Sequence, residues 1–342
     1  MIDGNPEHRG TRRGGSRYLA APVPVVSRRS RRSAIAAGLA LAAAVTWTPS
    51  KVGSEPDKGD EAGSWSRLAG MPLPKDDFAI AAVEGRLYTF GGMTGGRGTA
   101  LDDAAVYDPA TDRWRILPAL PTARRSVRAA AVGPVVYVAG GATPNGTTGV
   151  LEAFDTRSET WSTAAPMPTA RYGIGLVAVA GKLYAAGGFR DGQALATVER
   201  YDPASDRWET LAPIGTPRTH LAAVGLGGVV YALGGQSGGE VTTAVETFTP
   251  ATGEWARGPD MPRAMNNFGA AVLDGRIHAL RHREHDVYDP GPGEWTVAAP
   301  MPTSRHGQGA VAIGGRLYAV GGCHEELFDL DTVEAFAPAT HP

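Results

Sequence analysis

Cysteine and charge are both scarce in this sequence of 342 residues. Cys323 is the single cysteine, which excludes an internal disulfide, so the fold must be stable without one. Charged residues make up 20% of the chain and the formal net charge is −2, which gives no reason to expect a nucleic-acid partner. Nucleophile elbows, phosphate loops and dinucleotide fingerprints have no convincing counterpart either.

The N-terminal region is poor in acidic residues and lacks a full membrane span. Residues 1–33 hold eight arginines, and the apolar run that follows at 34–45 is twelve residues long. A bilayer span needs about 20 residues, so this run fits the apolar part of a secretory signal. The segment 27–33, Ser-Arg-Arg-Ser-Arg-Arg-Ser, looks like a twin-arginine export signal. We therefore expect a secreted or cell-surface protein, with an uncleaved membrane anchor or a disordered basic tail as alternatives.

Glycine and tryptophan carry the clearest pattern. Six tryptophans each stand 26 residues before a fixed landmark, which is a Gly-Gly pair in five of the six cases. A period of this length indicates a solenoid, a propeller or an array. The pairs are Trp65 with Gly91, Trp114 with Gly140, Trp161 with Gly187, Trp208 with Gly234, Trp255 with Arg281 and Trp295 with Gly321.

One repeat predicts four strands. The run 171–188 is apolar and is interrupted at Gly181-Lys182 by a two-residue turn, so it forms a hairpin. The segment 198–201, ended by Asp-Pro, forms a third strand, and 208–211 forms a fourth. The double glycine permits a close approach of a neighbouring chain, and each tryptophan can pack between repeats.

These motifs resemble the kelch repeat, which builds β-propellers. The resemblance rests on Gly-Gly after an apolar strand, a Val-Glu-x-Tyr-Asp-Pro strand and a Trp followed by Pro-Met-Pro, and it covers about 65–336. The resemblance implies an all-β fold of four-stranded blades. The family includes scaffolds, peptide receptors, sugar mutarotases and copper oxidases, so it leaves the function open.

The ends of the repeat region predict how the ring closes. The last repeat ends with Val333-Glu-Ala-Phe336 and lacks a fourth strand, whereas the segment 64–72 is a fourth strand without the other three. We therefore predict a six-bladed propeller whose N-terminal strand completes the last blade. The predicted regions are a basic head with a signal-like apolar segment at 1–47, a disordered linker at 48–63 and the propeller at 64–342.

A ring of basic residues marks the surface that we expect to bind a ligand. Five of the six residues that stand ten positions after the tryptophans are basic, at one mouth of the central channel. Arginine suits carboxylates and other anions. In kelch peptide receptors, arginines of an Arg-x-Gly-x-Gly motif line the ligand funnel, and the segments that begin at Arg171 and Arg305 resemble this motif. The alternative is structural: these arginines would bond to carbonyls of the next blade or to Glu152, Glu199, Glu246 and Glu334. The candidate ligand-binding residues are Arg124, Arg171, Tyr172, Arg218, Asn266, Arg305 and His306.

Blade five departs from the repeat. Met265 replaces the basic residue, Arg281-His282 replaces Gly-Gly, and His282 and His285 fall in a loop shorter than its neighbours. Cys323 and His324 occupy the equivalent region of blade six, so these loops could offer ligands to copper or zinc. The spacings match no metal signature, and we expect no metal and no cofactor.

The predicted function is binding. We expect a monomer that recognises a protein segment or an anionic carbohydrate at the arginine-lined mouth. The first alternative is a cofactor-free sugar mutarotase or epimerase acting on an acidic sugar, for which His306, His220, Arg171 and Asp77 are available as acid and base groups. A copper oxidase of the galactose oxidase type is the second alternative, but no tyrosine pair matches the position of Cys323.

Overall fold

The computed structural model describes residues 63–95, 98–324 and 329–339, and within them the chain forms six four-stranded antiparallel sheets. The head, the apolar segment and nearly all of the linker lie outside the described residues. In the described part, no helix is long and apolar enough to cross a membrane.

Each sheet is one blade, with its strands ordered from the channel outwards. The innermost strands are β2 (Ala79–Val83), β8 (Arg128–Val132), β14 (Gly175–Val179), β20 (Ala222–Leu226), β26 (Gly269–Leu273) and β30 (Gly309–Ile313). The second strands are β3 (Arg86–Phe90), β9 (Val135–Ala139), β15 (Lys182–Ala186), β21 (Val229–Leu233), β27 (Arg276–Arg281) and β31 (Arg316–Val320). The third strands are β6 (Ala104–Asp108), β12 (Leu151–Asp155), β18 (Val198–Asp202), β24 (Val245–Thr249), β28 (Glu284–Asp289) and β32 (Val333–Ala337). The outer strands are β7 (Arg113–Ile116), β13 (Thr160–Ala164), β19 (Arg207–Leu211), β25 (Glu254–Arg257), β29 (Glu294–Val297) and β1 (Ser64–Leu68).

The ring closes as the sequence predicts. Strand β1 pairs antiparallel with β32 in the sixth blade, with Trp65 opposite Phe336, and the innermost strands of neighbouring blades contact each other around the whole circle. Because the first strand completes the last blade, the sixth sheet has the same four strands as the other five. The six-bladed propeller prediction is confirmed.

The tryptophans join neighbouring blades. Each indole Nε1 donates to a backbone carbonyl of the preceding blade, at 2.7 to 3.1 Å, and Trp65 makes this bond to Ala299 across the closure. The rings also pack into hydrophobic clusters between blades, as Trp161 does against Phe90 and Phe154. A tryptophan at this register therefore supplies both apolar area and a specific hydrogen bond.

The double glycines are required where one blade touches the next. A Cβ on Gly140 would lie 2.5 Å from the carbonyl oxygen of Arg171, and the amide of Gly141 donates to that same oxygen. Gly140 and Gly141 also have φ values of +64° and +105°, a region that L side chains rarely adopt. In blade five the amide of His282 makes the equivalent bond, to Arg305, with φ at +52°.

Two details of the sequence prediction are corrected. The turn within blade three is Ala180-Gly181 rather than Gly181-Lys182, because Ala180 and Gly181 take the positive φ values and Lys182 begins β15. His285 lies in strand β28 and not in a loop, because without Gly-Gly the strand β27 continues to Arg281 and turns directly into β28.

Short hairpins extend from the channel mouth in blades one to four. Each begins directly after the double glycine and joins the second strand of the blade to its third strand. The hairpins pair β4 (Met93–Thr94) with β5 (Thr99–Ala100), β10 (Ala142–Thr143) with β11 (Gly146–Thr147), β16 (Phe189–Arg190) with β17 (Gln193–Ala194), and β22 (Gln236–Ser237) with β23 (Glu240–Val241).

Candidate ligand-binding face

A ring of backbone hydrogen bonds surrounds the channel mouth. One residue from each blade, twelve positions after its tryptophan, has a positive φ. In five of the six links, the amide of this residue donates to the backbone carbonyl of its counterpart in the preceding blade, at 2.7 to 3.1 Å. The sixth link runs from the amide of Val127 to the carbonyl of Asp77 at 3.4 Å. We call this set the mouth ring: Asp77, Ser126, Gly173, His220, Asn267 and Gly307.

Most residue types of the mouth ring follow from this backbone. Aspartate and asparagine tolerate the left-handed region better than most residues do, and glycine adopts it freely. Gly173 has no alternative, because a Cβ there would lie 2.5 Å from the hydroxyl oxygen of Thr219. Ser126 donates its hydroxyl to the Asp77 carboxylate at 2.9 Å, so two blades are also joined through side chains.

The four arginines expected to face a ligand are instead buried, and this part of the sequence prediction is wrong. Each has 0% relative exposure and pairs with a glutamate of the third strand of its own blade. Arg124, for example, lies 2.6 Å from the Glu152 carboxylate and also donates to the carbonyls of Gly140 and Val150. The structural alternative is therefore correct in its glutamate partners, which are Glu152 for Arg124, Glu199 for Arg171, Glu246 for Arg218 and Glu334 for Arg305.

Blades one and five contain variants of the same ion pair. Lys75 contacts Asp103 at 2.6 Å in blade one. In blade five, Met265 fills the arginine position, and Arg263 contacts Asp286 of the third strand instead. Burial lowers the pKa of Lys75, and the charge of Asp103 opposes that shift. Every blade therefore has a cation ahead of its innermost strand that pairs with a carboxylate in its third strand or, in blade one, directly before it.

A groove opens at the mouth between blades three and four. Its volume is about 630 Å³, and the hairpins β16–β17 and β22–β23 form its two sides. The ring centroids of Tyr172 and Phe189 are 5.4 Å apart, and those of Tyr172 and His220 are 6.0 Å apart, so one wall is aromatic. The principal lining residues are Tyr172, Phe189, Pro217, Thr219, His220 and Gln236.

The groove carries no formal charge. None of its lining residues in the described chain is Asp, Glu, Lys or Arg. Burial lowers the pKa of His220, an effect that the Asp77 carboxylate opposes and that Arg128 and Arg125 reinforce. His220 is therefore neutral at physiological pH, and the groove suits an uncharged or aromatic group better than an anion.

The remaining predicted site residues fall in two places. Tyr172 lines the groove, and the amide of Asn266 donates to the side-chain oxygen of Gln236 at 3.1 Å, which places Asn266 at the edge of the same groove. His306 lies on another part of the rim, with its Nε2 3.1 Å from the sulfur of Cys323 and its ring 5.8 Å from that of His282. The sequence could not reveal the groove, because its walls come from hairpins of two blades.

Asp76 is the most perturbed carboxyl at this mouth. Burial raises the pKa of Asp76 to about 7, the adjacent Asp77 charge adds to the rise, and a hydrogen bond from Cys323 opposes it. Burial also raises the pKa of the Cys323 thiol well above its usual range, with the Asp76 bond contributing. Cys323 is therefore a protonated thiol that supports the rim.

Blade five holds a buried histidine pair, away from the mouth. His278 Nδ1 lies 2.8 Å from His285 Nε2, and His285 Nδ1 lies 3.1 Å from the carbonyl of Ala299. The ring of His285 also packs against Phe336 and Trp65 of the closing blade. In the described residues, no group of three or more His, Cys, Asp or Glu side chains has a geometry that could hold a metal ion.

Comparison with known proteins matches this architecture. Residues 77–279 match the family model described as the KLHDC2/KLHL20/DRC7 Kelch-repeats domain, and residues 304–341 match the Kelch motif. The first match alone covers more than half of the chain.

Relatives come from a fungus, a plant and a mammal. Kelch-like protein terF of Aspergillus terreus is 37% identical over 84 residues, which are 23% of this chain and 18% of the relative. An F-box/kelch-repeat protein of Arabidopsis thaliana is 38% identical over 95 residues, 27% and 25% of the two chains. Kelch domain-containing protein 8B of Mus musculus is 34% identical over 84 residues, 24% and 23% of the two chains. These matches span a quarter or less of each relative. Because the family model matches residues 77–279, the propeller belongs to the kelch-repeat family.

Proposed function

We propose that the propeller is a protein-interaction module that holds an extended segment of a partner protein in the groove between blades three and four. Kelch propellers are in general protein-interaction modules, which supports the class of function. The observation that carries the site is the uncharged aromatic lining of the groove around Tyr172 and Phe189. Aromatic side chains of this kind provide much of the binding energy in protein interfaces.

The groove supports a peptide over an acidic sugar. The buried arginines donate to glutamates and backbone carbonyls, so their guanidinium groups cannot bind a carboxylate at the surface. The groove instead offers ring faces, the Thr219 hydroxyl and the Gln236 amide, which suit an apolar anchor flanked by backbone amides. A cofactor-free mutarotase or epimerase stays the enzymatic alternative, although Arg171, one of its expected groups, is enclosed.

The test begins with peptides selected from a phage-displayed random library against the full chain. Dissociation constants are then measured for the parent and for Tyr172→Ala and Phe189→Ala. Loss of an aromatic anchor should weaken binding about tenfold or more. Ile116→Ala is the matched control, because this side chain is 62% exposed on the outer strand β7.

N-acetylneuraminic acid serves as the competing probe. The proposal predicts that this acidic sugar does not displace the selected peptides, and that Ile116→Ala binds them as the parent does. Equal binding by all three variants would show that the groove is not a peptide site, and displacement by the sugar would contradict its preference for a peptide over an acidic sugar.

We also propose that the chain acts outside the cytoplasm. The support is the twin-arginine-like segment at 27–33 and the apolar run at 34–45, both outside the described residues. Expression with subcellular fractionation and N-terminal sequencing tests export. An intact N-terminus in the cytoplasm would contradict it.

A further inference from the structure

We infer that Arg128 forms the centre of a small-oxyanion site inside the central channel, separate from the groove, with bicarbonate as the simplest ligand that fits. Arg128 is the first residue of the innermost strand β8 and lines a channel cavity of about 110 Å³. The cavity is large enough for a group of a few heavy atoms but not for a folded segment.

The register makes Arg128 an exception. The equivalent first residues of the other innermost strands are all alanine or glycine, so no other blade places a long side chain here. These residues are Ala79, Gly175, Ala222, Gly269 and Gly309. A repeat that needs only a small residue at this position gives no structural reason for a guanidinium group.

The bonding of Arg128 differs from that of the buried arginines. Arg124, Arg171, Arg218 and Arg305 each contact a glutamate. Arg128 has no carboxylate within ion-pair distance in the part of the chain that the structure describes. Its bonds go to the Val127 carbonyl at 3.0 Å and, across the channel, to the Asn267 side-chain oxygen at 3.5 Å.

The charge of Arg128 is only partly balanced. The carboxylate that acts on it is Asp77, which lies beyond ion-pair distance and receives the Ser126 hydroxyl on one oxygen. Burial lowers the pKa of Arg128, and the Asp77 charge opposes this change. An arginine has five N–H donors, so the guanidinium keeps donors for a planar oxyanion, which it can bind in two-pronged fashion.

A second unsatisfied group lines the same cavity. Gln308 is buried and donates its amide to the Leu280 carbonyl at 2.6 Å, while its side-chain oxygen has no partner in the described structure. A buried acceptor without a hydrogen-bond donor destabilises the fold, so the side-chain oxygen of Gln308 favours a ligand that carries a donor. Bicarbonate carries both the oxygens that suit Arg128 and the O–H that suits Gln308, whereas nitrate has the same planar shape and charge without the O–H.

The test measures thermal stabilisation of the full chain at pH 8 by sodium bicarbonate, with sodium nitrate and sodium chloride at equal ionic strength. The parent should show a Tm rise that saturates with bicarbonate, and titration calorimetry should give a single site. Arg128→Ala should lose both signals, and it should fold because two other blades carry alanine at this position. Arg125→Ala, which removes a neighbouring cation at the rim, should keep them.

Arg128→Lys guards against a folding defect, because it keeps the charge and loses the planar fork; it should bind bicarbonate at least tenfold more weakly than the parent. Equal stabilisation of the parent and Arg128→Ala would overturn the site. Equal effects of nitrate and bicarbonate on the parent would overturn the bicarbonate assignment. Because the groove variants should leave this signal unchanged, failure here is distinguishable from failure of the peptide proposal.

Discussion

Trp65 donates its indole N–H to the carbonyl of Ala299 at 2.9 Å, across 234 positions of sequence. This bond joins the first strand of the ring, which completes blade six, to the end of blade five. The other five tryptophans make the same bond to their preceding blades, so the closure is built like every other junction.

Trp65→Phe tests the closure. Phenylalanine keeps most of the apolar contact with Phe336 but cannot donate, so the carbonyl of Ala299 loses its partner. We expect the free energy of unfolding to fall by about 1–3 kcal/mol, measured by denaturant titration. Trp255→Phe, which breaks the equivalent bond to Ala212, should cost a similar amount. If only Trp255→Phe destabilises, the N-terminal strand does not hold the ring as described.

Removal of one partner of a buried ion pair should destabilise the propeller strongly. Arg171→Met leaves the Glu199 carboxylate buried without its cation, which costs about 3–5 kcal/mol. The double variant Arg171→Met with Glu199→Leu should recover part of that loss, because it leaves no buried carboxylate unpaired and blade five already buries Met265 at the arginine position. A single variant as stable as the parent in chemical denaturation would show that the pair has no structural role.

These ion pairs show how much of the structure could be predicted from the sequence. The tryptophan and glycine spacing was sufficient for the blades and for the closure, because each spacing reflects a contact that every blade repeats. The sequence could not decide whether the arginines are buried, although the glutamate that stands 28 residues after each of Arg124, Arg171 and Arg218 indicated an ion pair. The groove depends on where two hairpins meet, and no spacing within one repeat contains that information.

The histidine pair of blade five should make stability sensitive to acid. Burial lowers the pKa of His278 to about 3, with His285 and Arg276 adding to the shift, and burial lowers that of His285 to about 4. The unfolded chain, with histidine pKa values near 6.5, binds more protons than the folded chain between about pH 4 and 6.5. Stability therefore falls as the pH drops through this window, by up to about 1.4 kcal/mol per pH unit for each histidine.

The double variant His278→Tyr with His285→Val measures this contribution, because other blades carry tyrosine and valine at these positions. Its loss of stability between pH 6.5 and 4 should be smaller than that of the parent. Parallel stability curves for the two proteins would contradict a neutral buried pair.

The contribution of Asp76 to stability should have a pH dependence opposite to that of the histidine pair. Its pKa in the folded chain is about 7, raised first by burial and then by Asp77, against about 3.9 when unfolded. The folded chain therefore binds the extra proton between about pH 4 and 7, so this contribution to stability is lost as the pH rises through 7. Asp76→Asn should be more stable than the parent at pH 8, with the difference shrinking towards pH 4. Thermal melts at both pH values check this, and a constant difference would show that Asp76 is ionised in the fold.

The central claim is that a protein segment binds in the groove between blades three and four. Hydrogen–deuterium exchange on the full chain, with and without a selected peptide, tests it most directly. Protection is expected in the hairpins β16–β17 and β22–β23, with none in the equivalent hairpin β10–β11 of blade two. Protection that appears in β10–β11 or on the outer strands, and not in the two groove hairpins, would contradict the account.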